Sequence, residues 1–211
     1  REDCPRPAPV MTAQREFLDL LEPHCSGVER DRLALYAELL ERWAGRHNLV
    51  RFADRRELVE RHLVDSLAGA EHMGRNGRLL DIGSGAGLPG IPLLITRPDW
   101  HGCLLEPRQK RWAFLRLVIR EIGLDAEAQR VRYQEFHGAG PWNVIAMRAV
   151  GGHHALLDWS RGELAADGRV WLWTTEEVVA ELRGVSGLRV LSSPSPGLER
   201  GRLARLQPCF T

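Results

Sequence analysis

Lysine is nearly missing from this chain. Lys110 is the single one among 29 basic residues, so arginine carries almost all of the positive charge. A GC-rich coding sequence is the simplest cause. The chemical result is a surface of planar guanidinium forks rather than point charges. An excess of either sign is lacking too: 29 basic and 28 acidic residues leave a formal net charge of +1, which excludes an overall polycation. Cysteine is scarce, and Cys4, Cys25, Cys103 and Cys209 show no short paired spacing. That argues against a zinc site and against a dense disulfide framework, so no metal is expected and the cytosol is the simplest home. No apolar run approaches the roughly 18 residues that a spanning helix needs, so no membrane partner is expected. No basic start followed by an apolar stretch marks a secretory signal. Internal repeats and low-complexity tracts are lacking as well.

What is present fits one sizeable core, with 211 residues of which 44% are hydrophobic. Residues 1–10, with Pro5, Pro7 and Pro9, read as a disordered arm. Helical spacing follows at 12–22 and 29–45, where Leu33, Ala37, Leu40 and Ala44 share a stripe with Tyr36 and Trp43 beside it. Four-residue steps through Leu58, His62 and Ser66 predict a third helix over 55–72. Residues 11–76 therefore read as an N-terminal helical extension, closed by the Asn76-Gly77 turn. Over residues 77–211 the pattern changes to strands alternating with helices. Strands are expected at 79–82, 103–106, 131–133, 144–147 and 170–173, and helices at 109–122, 153–165 and 176–183. Two weak strands near 188–192 and 202–207 follow. The alternation predicts an α/β class protein, a doubly wound Rossmann-like parallel sheet with helices on both faces, packed with the extension as one unit. Ligands of such sheets sit at the carboxyl ends of the strands.

The sharpest local signal is the run from Asp81 to Gly87, DIGSGAG, directly after an apolar strand. Glycines there let the backbone turn tightly and approach a ligand closely. Gly85, Gly87 and Gly90 also spell a dinucleotide fingerprint. Two features favour a methyl donor over a nicotinamide. Gly83 directly follows the strand with Asp81 two residues before it, which puts Asp81 near the amino acid end of a ligand. Glu106 ends the second strand, where a carboxylate accepts bonds from both ribose hydroxyls. A nicotinamide enzyme uses such an acid too, so Glu106 leaves both classes open. Basic residues cluster in Arg42, Arg46, His47, Arg51, Arg55, Arg56, Arg61 and His62, and again in Arg108, Lys110, Arg111, Arg116 and Arg120. These are solvated helix faces or phosphate contacts.

Several separated motifs resemble one family. LLDIGSGAGLPGIPLLITRP over Leu79–Pro98, RHLVDSL over Arg61–Leu67, Trp43 with Asn48-Leu49, Leu104-Leu105-Glu106 with Lys110-Arg111 and Phe114-Leu115, and Arg148-Ala149-Val150 occur in the right order. Together they resemble the bacterial small-subunit ribosomal RNA guanine-N7 methyltransferases, the RsmG or GidB family, with Glu106 where that family usually has aspartate. The resemblance implies a fold of the S-adenosylmethionine-dependent methyltransferase type, S-adenosylmethionine as cofactor, and ribosomal RNA or the small ribosomal subunit as partner of a monomer. It implies cofactor contacts at Asp81, Gly83, Gly85, Leu88, Glu106, Tyr133, Gln134 and Arg148. It places His62, Asp65 and Arg148 in the catalytic centre, and Arg61, Ser66, Lys110, Arg111 and Arg132 against the RNA. Two departures stand out. Trp173-Thr174 replaces a lysine-glycine pair after the fifth strand, and Arg202-Leu203 replaces an arginine-histidine pair. Both positions are expected to face substrate, and Trp173 has the shape to stack on a base.

Guanine N7 has a free lone pair and no proton, so its methylation needs position and field rather than a general base. The sequence agrees in what it lacks: no Asn/Asp-Pro-Pro-aromatic motif follows the fourth strand, and no cysteine stands at a strand end as a carbon nucleophile site would need. Arg148 stands after that strand instead, where it reaches a base edge or forms an ordinary ion pair with Glu106 or Asp81. Asp65, three residues beyond His62, is placed to fix the imidazole tautomer.

Overall fold

The computed structural model describes residues 12–138, 140–148, 153–196 and 200–208. The arm expected over 1–10, Cys4, Cys209 and the Ala149-Val150 pair lie outside the described residues.

Helix α1 (Ala13–Leu21) starts at Thr12, whose hydroxyl accepts the Arg15 amide and satisfies one orphan N–H of the first turn. Helix α2 (Gly27–His47) ends on Asn48 at φ 49°, a left-handed position that asparagine tolerates, and the Asn48 amide closes on the Ala44 carbonyl. The next helical run is irregular. A short α3 (Arg55–Glu57), capped by the Asp54 carboxylate, passes into a π-helical segment (Leu58–Val64) and then α4 (Asp65–Leu67). The single helix expected over 55–72 breaks near Gly69, where a Cβ would lie 2.7 Å from the Trp171 ring. A 3-10 turn (Ala70–His72) follows.

The sheet comprises β1 (Gly77–Ile82), β2 (Trp100–Leu105), β3 (Ala126–Gln129), β4 (Trp142–Arg148), β5 (Leu164–Thr175), β6 (Leu188–Pro194) and β7 (Gly201–Pro208). Between the strands run α5 (Gly90–Thr96), α6 (Gln109–Ile122), α7 (His153–Ser160) and α8 (Glu176–Arg183). The strand order is β3-β2-β1-β4-β5-β7-β6. Strands β1 to β5 are parallel, whereas β7 inserts antiparallel between β5 and β6. The chain winds outward from β1 to one side and from β4 to the other, so the carboxyl ends of these two neighbours flank the crevice where such folds bind ligands.

Three expectations need correction. The third strand lies at Ala126–Gln129, not 131–133, and Tyr133–Glu135 is a 3-10 turn. As the edge strand it carries two alanines and two polar residues, so it lacks the apolar run that marks a buried strand. The helix expected over 153–165 ends at Ser160, because β5 already begins at Leu164. The sheet is mixed rather than purely parallel, since β7 is antiparallel.

Alternate residues of the central strands feed two cores. Leu79, Leu104, Val144, Ala146, Trp171 and Trp173 pack with Tyr36 and Leu40 of α2, Leu63 of the π segment and Phe114 of α6. Leu80, Ile82, Cys103, Leu105, Met147 and Leu172 pack on the other face with Leu156 of α7 and Val179 and Leu182 of α8. The N-terminal helices thus share one core with the sheet.

Candidate active site

β1 brings Asp81 to the carboxyl edge of the sheet, fully buried. Its Oδ2 accepts the Gly90 amide at 3.1 Å, and its Oδ1 is buried without a partner among the described residues. Burial pushes this carboxyl up to about 7, with nearby Glu106 adding to the effect and the Gly90 amide opposing it, while the Ser84 hydroxyl donates to the Asp81 backbone carbonyl at 2.9 Å. Gly90 is required by this contact, because a Cβ there would lie 2.5 Å from Asp81 Oδ2. Between Ile82 and Gly90 the chain turns through Gly83, Gly85 and Gly87, all at positive φ. At Gly85, φ 57°, a Cβ would meet only Arg111 Nη1 at 3.5 Å and the Gly83 carbonyl at 3.7 Å, so the turn offers bare backbone to the space in front of it.

Glu106 directly follows β2 and is 3% exposed. Its Oε2 accepts the Gly85 amide at 3.1 Å and its Oε1 accepts the Arg108 amide at 2.7 Å. It therefore turns toward the glycine turn, and its second bond ties the start of α6 to the same place. Leu88 lies buried behind the turn. Gly83 is exposed on it. Tyr133 is half-buried, edge-on to Trp159 at 5.3 Å between ring centroids, and Gln134 beside it is exposed.

A second cluster gathers around Arg148, the last residue of β4. Its guanidinium pairs with Asp65 Oδ2 at 2.9 Å and donates to the Arg61 carbonyl at 2.9 Å, the Ser66 hydroxyl at 3.3 Å and the His62 carbonyl at 3.4 Å. The ion pair expected with Glu106 or Asp81 is thus made with Asp65 instead. Asp65 is fully buried; it accepts from the Ser195 hydroxyl through Oδ1, and its carbonyl accepts the Trp173 indole N–H at 2.8 Å. Asp65 does not set the His62 tautomer. His62 Nε2 lies 3.2 Å from the Arg51 carbonyl, and burial, then the Arg148 charge, holds the imidazole below its ordinary pKa. The Ser66 hydroxyl donates to the His62 carbonyl at 2.6 Å.

The two departures near the carboxyl end are also corrected. Trp173 is 5% exposed and packs against Trp171 at 6.3 Å, so it fills core and does not face a base. Leu203 is fully buried, and Arg202 pairs with Glu176. Among the remaining basic residues, Lys110 and Arg132 are exposed, Arg111 reaches over Gly85, and Arg61 pairs with Glu57 at 2.8 Å.

Two residues that hold this site went unread in the sequence. Ser195 carries no signal of its own. Tyr36 does: a tyrosine beside a buried helical stripe needs an acceptor for its hydroxyl. It finds the Ala86 carbonyl at 2.7 Å. Among the described residues no group of three or more histidine, cysteine, aspartate or glutamate side chains is placed to hold a metal ion, and no helix is long and apolar enough to cross a membrane.

Solved structures share this fold. A ribosomal protein L11 methylase from Lactobacillus delbrueckii subsp. bulgaricus superposes with a TM-score of 0.55 at 15% identity, covering 75% of this chain and 81% of that one. An rRNA methylase from Streptococcus thermophilus gives 0.54 at 12% identity, covering 69% and 93%. The architecture, a doubly wound α/β sheet with one antiparallel strand, is therefore one that these methylases share. In sequence, the chain is 34% identical over 180 residues to the ribosomal RNA small subunit methyltransferase G of Serratia proteamaculans, covering 85% of this chain and 83% of that protein. It is 32% identical over 190 residues to the protein of the same name from Chromobacterium violaceum, covering 88% of each. The family model GidB, rRNA small subunit methyltransferase G, matches residues 29–187, and the chain belongs to that family.

Proposed function

We propose that this chain transfers a methyl group from S-adenosylmethionine to N7 of a guanine in small-subunit ribosomal RNA. One observation carries the reading: Asp81 and Glu106 flank a bare glycine turn, and Asp81 keeps a buried oxygen without a partner. That oxygen suits the ammonium of an amino acid moiety, and Glu106 suits a ribose. A carboxylate with a buried free oxygen fits this ligand better than a nicotinamide dinucleotide, which has no ammonium to offer. When bound, the cofactor supplies an electrophilic methyl group on a sulfonium. Gly83 and Gly85 would give it close backbone contact, and Leu88, Tyr133 and Gln134 are the further residues assigned to hold it.

The acceptor needs no proton removed, so the chain's part is to hold the base in line and to keep water out. Arg148 offers a guanidinium fixed by Asp65 and by the Arg61 and His62 carbonyls, which spares reorganisation when a base arrives. His62, largely neutral at pH 7, borders the same place as a hydrogen-bonding group rather than a base. Lys110, Arg111, Arg132 and Arg61 are assigned to the RNA and its phosphates, whereas Ser66, expected there too, is fully buried between the His62 carbonyl and Arg148 and serves to hold the guanidinium.

The test is transfer of radiolabelled methyl from S-adenosylmethionine to ribosomal subunits of a strain lacking this gene, followed by nucleoside mapping. Label in 7-methylguanosine of the small-subunit RNA is the expected result. No label in any ribosomal fraction, with the cofactor bound, would refute the acceptor. A methyltransferase with another RNA, protein or small-molecule acceptor is the second reading. The Trp173-Thr174 pair favours it, because an indole fills core where the family carries a lysine-glycine pair.

A further inference from the structure

We infer that Tyr36, from the N-terminal helical extension, is a positioning residue for the cofactor turn. This rests on the methyl-donor reading above. Fifty residues separate the two partners, yet the phenol is fully buried and donates to the Ala86 carbonyl at 2.7 Å. Ala86 is the centre of the turn, between Gly85 at φ 57° and Gly87 at φ 97°. The turn's own amides close elsewhere: Gly87 and Leu88 donate to the Ser84 carbonyl, and Ile91 donates to the Gly87 carbonyl. Two glycines at positive φ give this segment more conformational freedom than any neighbouring stretch, and the tyrosine supplies the outside contact that selects one conformation.

The fit around the hydroxyl is close. A Cβ on Gly87 would lie 3.2 Å from the Tyr36 oxygen, so the turn rests on the phenol directly. Burial, then the neighbouring Asp81 charge, holds the phenol well above its ordinary pKa, so it stays a neutral donor. The ring itself is anchored independently of the bond. It packs 6.5 Å from the Phe114 ring, and Leu33, Ala37 and Leu40 of the same helix lie in the same core. Deleting the oxygen therefore leaves α2 in place and removes only the strut under the turn. The loss is expected in ligand affinity more than in folding, because Ala86 is left a buried carbonyl in a segment that is then free to shift.

Tyr36→Phe tests this, with Leu40→Val as a control that thins the same helix face without touching the turn. The probes are calorimetric titration with S-adenosylhomocysteine, thermal unfolding, and hydrogen exchange of the peptide covering residues 83–90. Tyr36→Phe should bind about tenfold more weakly and exchange faster over 83–90, with a fall in Tm no larger than that of Leu40→Val. Leu40→Val should lower Tm and leave both other readouts alone. Unchanged affinity and exchange in Tyr36→Phe, beside a wild type that binds, would overturn the inference. So would Leu40→Val weakening binding as much as Tyr36→Phe, since helix stability would then be the cause. A wild type that binds no ligand would instead sink the methyl-donor reading itself.

Discussion

At the scale of single residues, Asp81 is the most informative. Its carboxyl is raised to about 7 by burial, against an ordinary value of 3.8. Between these two values the folded protein holds a proton that the unfolded chain releases, so folding stability declines as pH rises through that window and is steady above it. Asp81→Asn should flatten the decline, which urea unfolding at a series of pH values measures. Ligand binding should show the opposite slope. An ammonium needs the ionised carboxylate, so S-adenosylhomocysteine affinity should rise with pH up to about 7 and level off, with proton release visible in buffers of different ionisation heat. Asp81→Asn should remove that release and weaken binding at least tenfold. Asp81 and Glu106 were legible in the sequence because each stands at the carboxyl end of an apolar run, where a carboxylate has no packing reason to be. Tyr36 was not, because an aromatic on a helical stripe reads as core, and only the fold shows which carbonyl its hydroxyl meets.

Among the elements, the run from Arg55 to Leu67 departs furthest from its pattern. Steps of four through Leu58, His62 and Ser66 suggest a regular helix, whereas Leu58–Val64 is π-helical. Its Arg61 and His62 carbonyls accept from Arg148, a contact made across 87 and 86 residues that local spacing does not encode. The Arg148 and Asp65 side chains are 15% and 0% exposed, so removing either leaves a buried charge. Arg148→Met should cost about 3 kcal/mol in urea unfolding, and adding Asp65→Asn should recover part of it; strict additivity would show that the pair is not coupled. Strand β3 was misplaced for a different reason. Ala126–Gln129 is short and lies at the sheet's edge, and its small and polar residues give no strand signal. Helix α6, by contrast, matches its predicted bounds of 109–122, because Leu115, Val118, Ile119 and Ile122 repeat at helical spacing and Gly123 stops it at φ 72°.

For the molecule as a whole, the two basic clusters were legible but their geometry was not. The first is partly neutralised by acidic partners: Arg55 pairs with Glu16 and Glu41, Arg56 with Glu60 and Arg61 with Glu57. The second keeps exposed Lys110 near Arg111 at the head of α6, beside the glycine turn. Binding of small-subunit RNA should weaken with salt, and Lys110→Ala with Arg111→Ala should lower the slope of log K against log salt by about 2. An unchanged slope would remove this surface from the RNA interface. The helical extension also supplies Tyr36, Leu40 and Leu63 to the core that covers Leu79 and Leu104. A fragment of residues 77–211 should therefore stay unfolded by circular dichroism. The same interlocking bears on biosynthesis. Asp65 is joined to Arg148 across 83 residues and to Ser195 across 130, so a carboxylate made early stays in water until partners made late reach it. The early helices find Leu79, Leu104 and Phe114 as cover once α6 is made, and the final hairpin adds Leu203 to that core. The hydrogen-bond network around Asp65 is thus complete only when nearly the whole chain has been made.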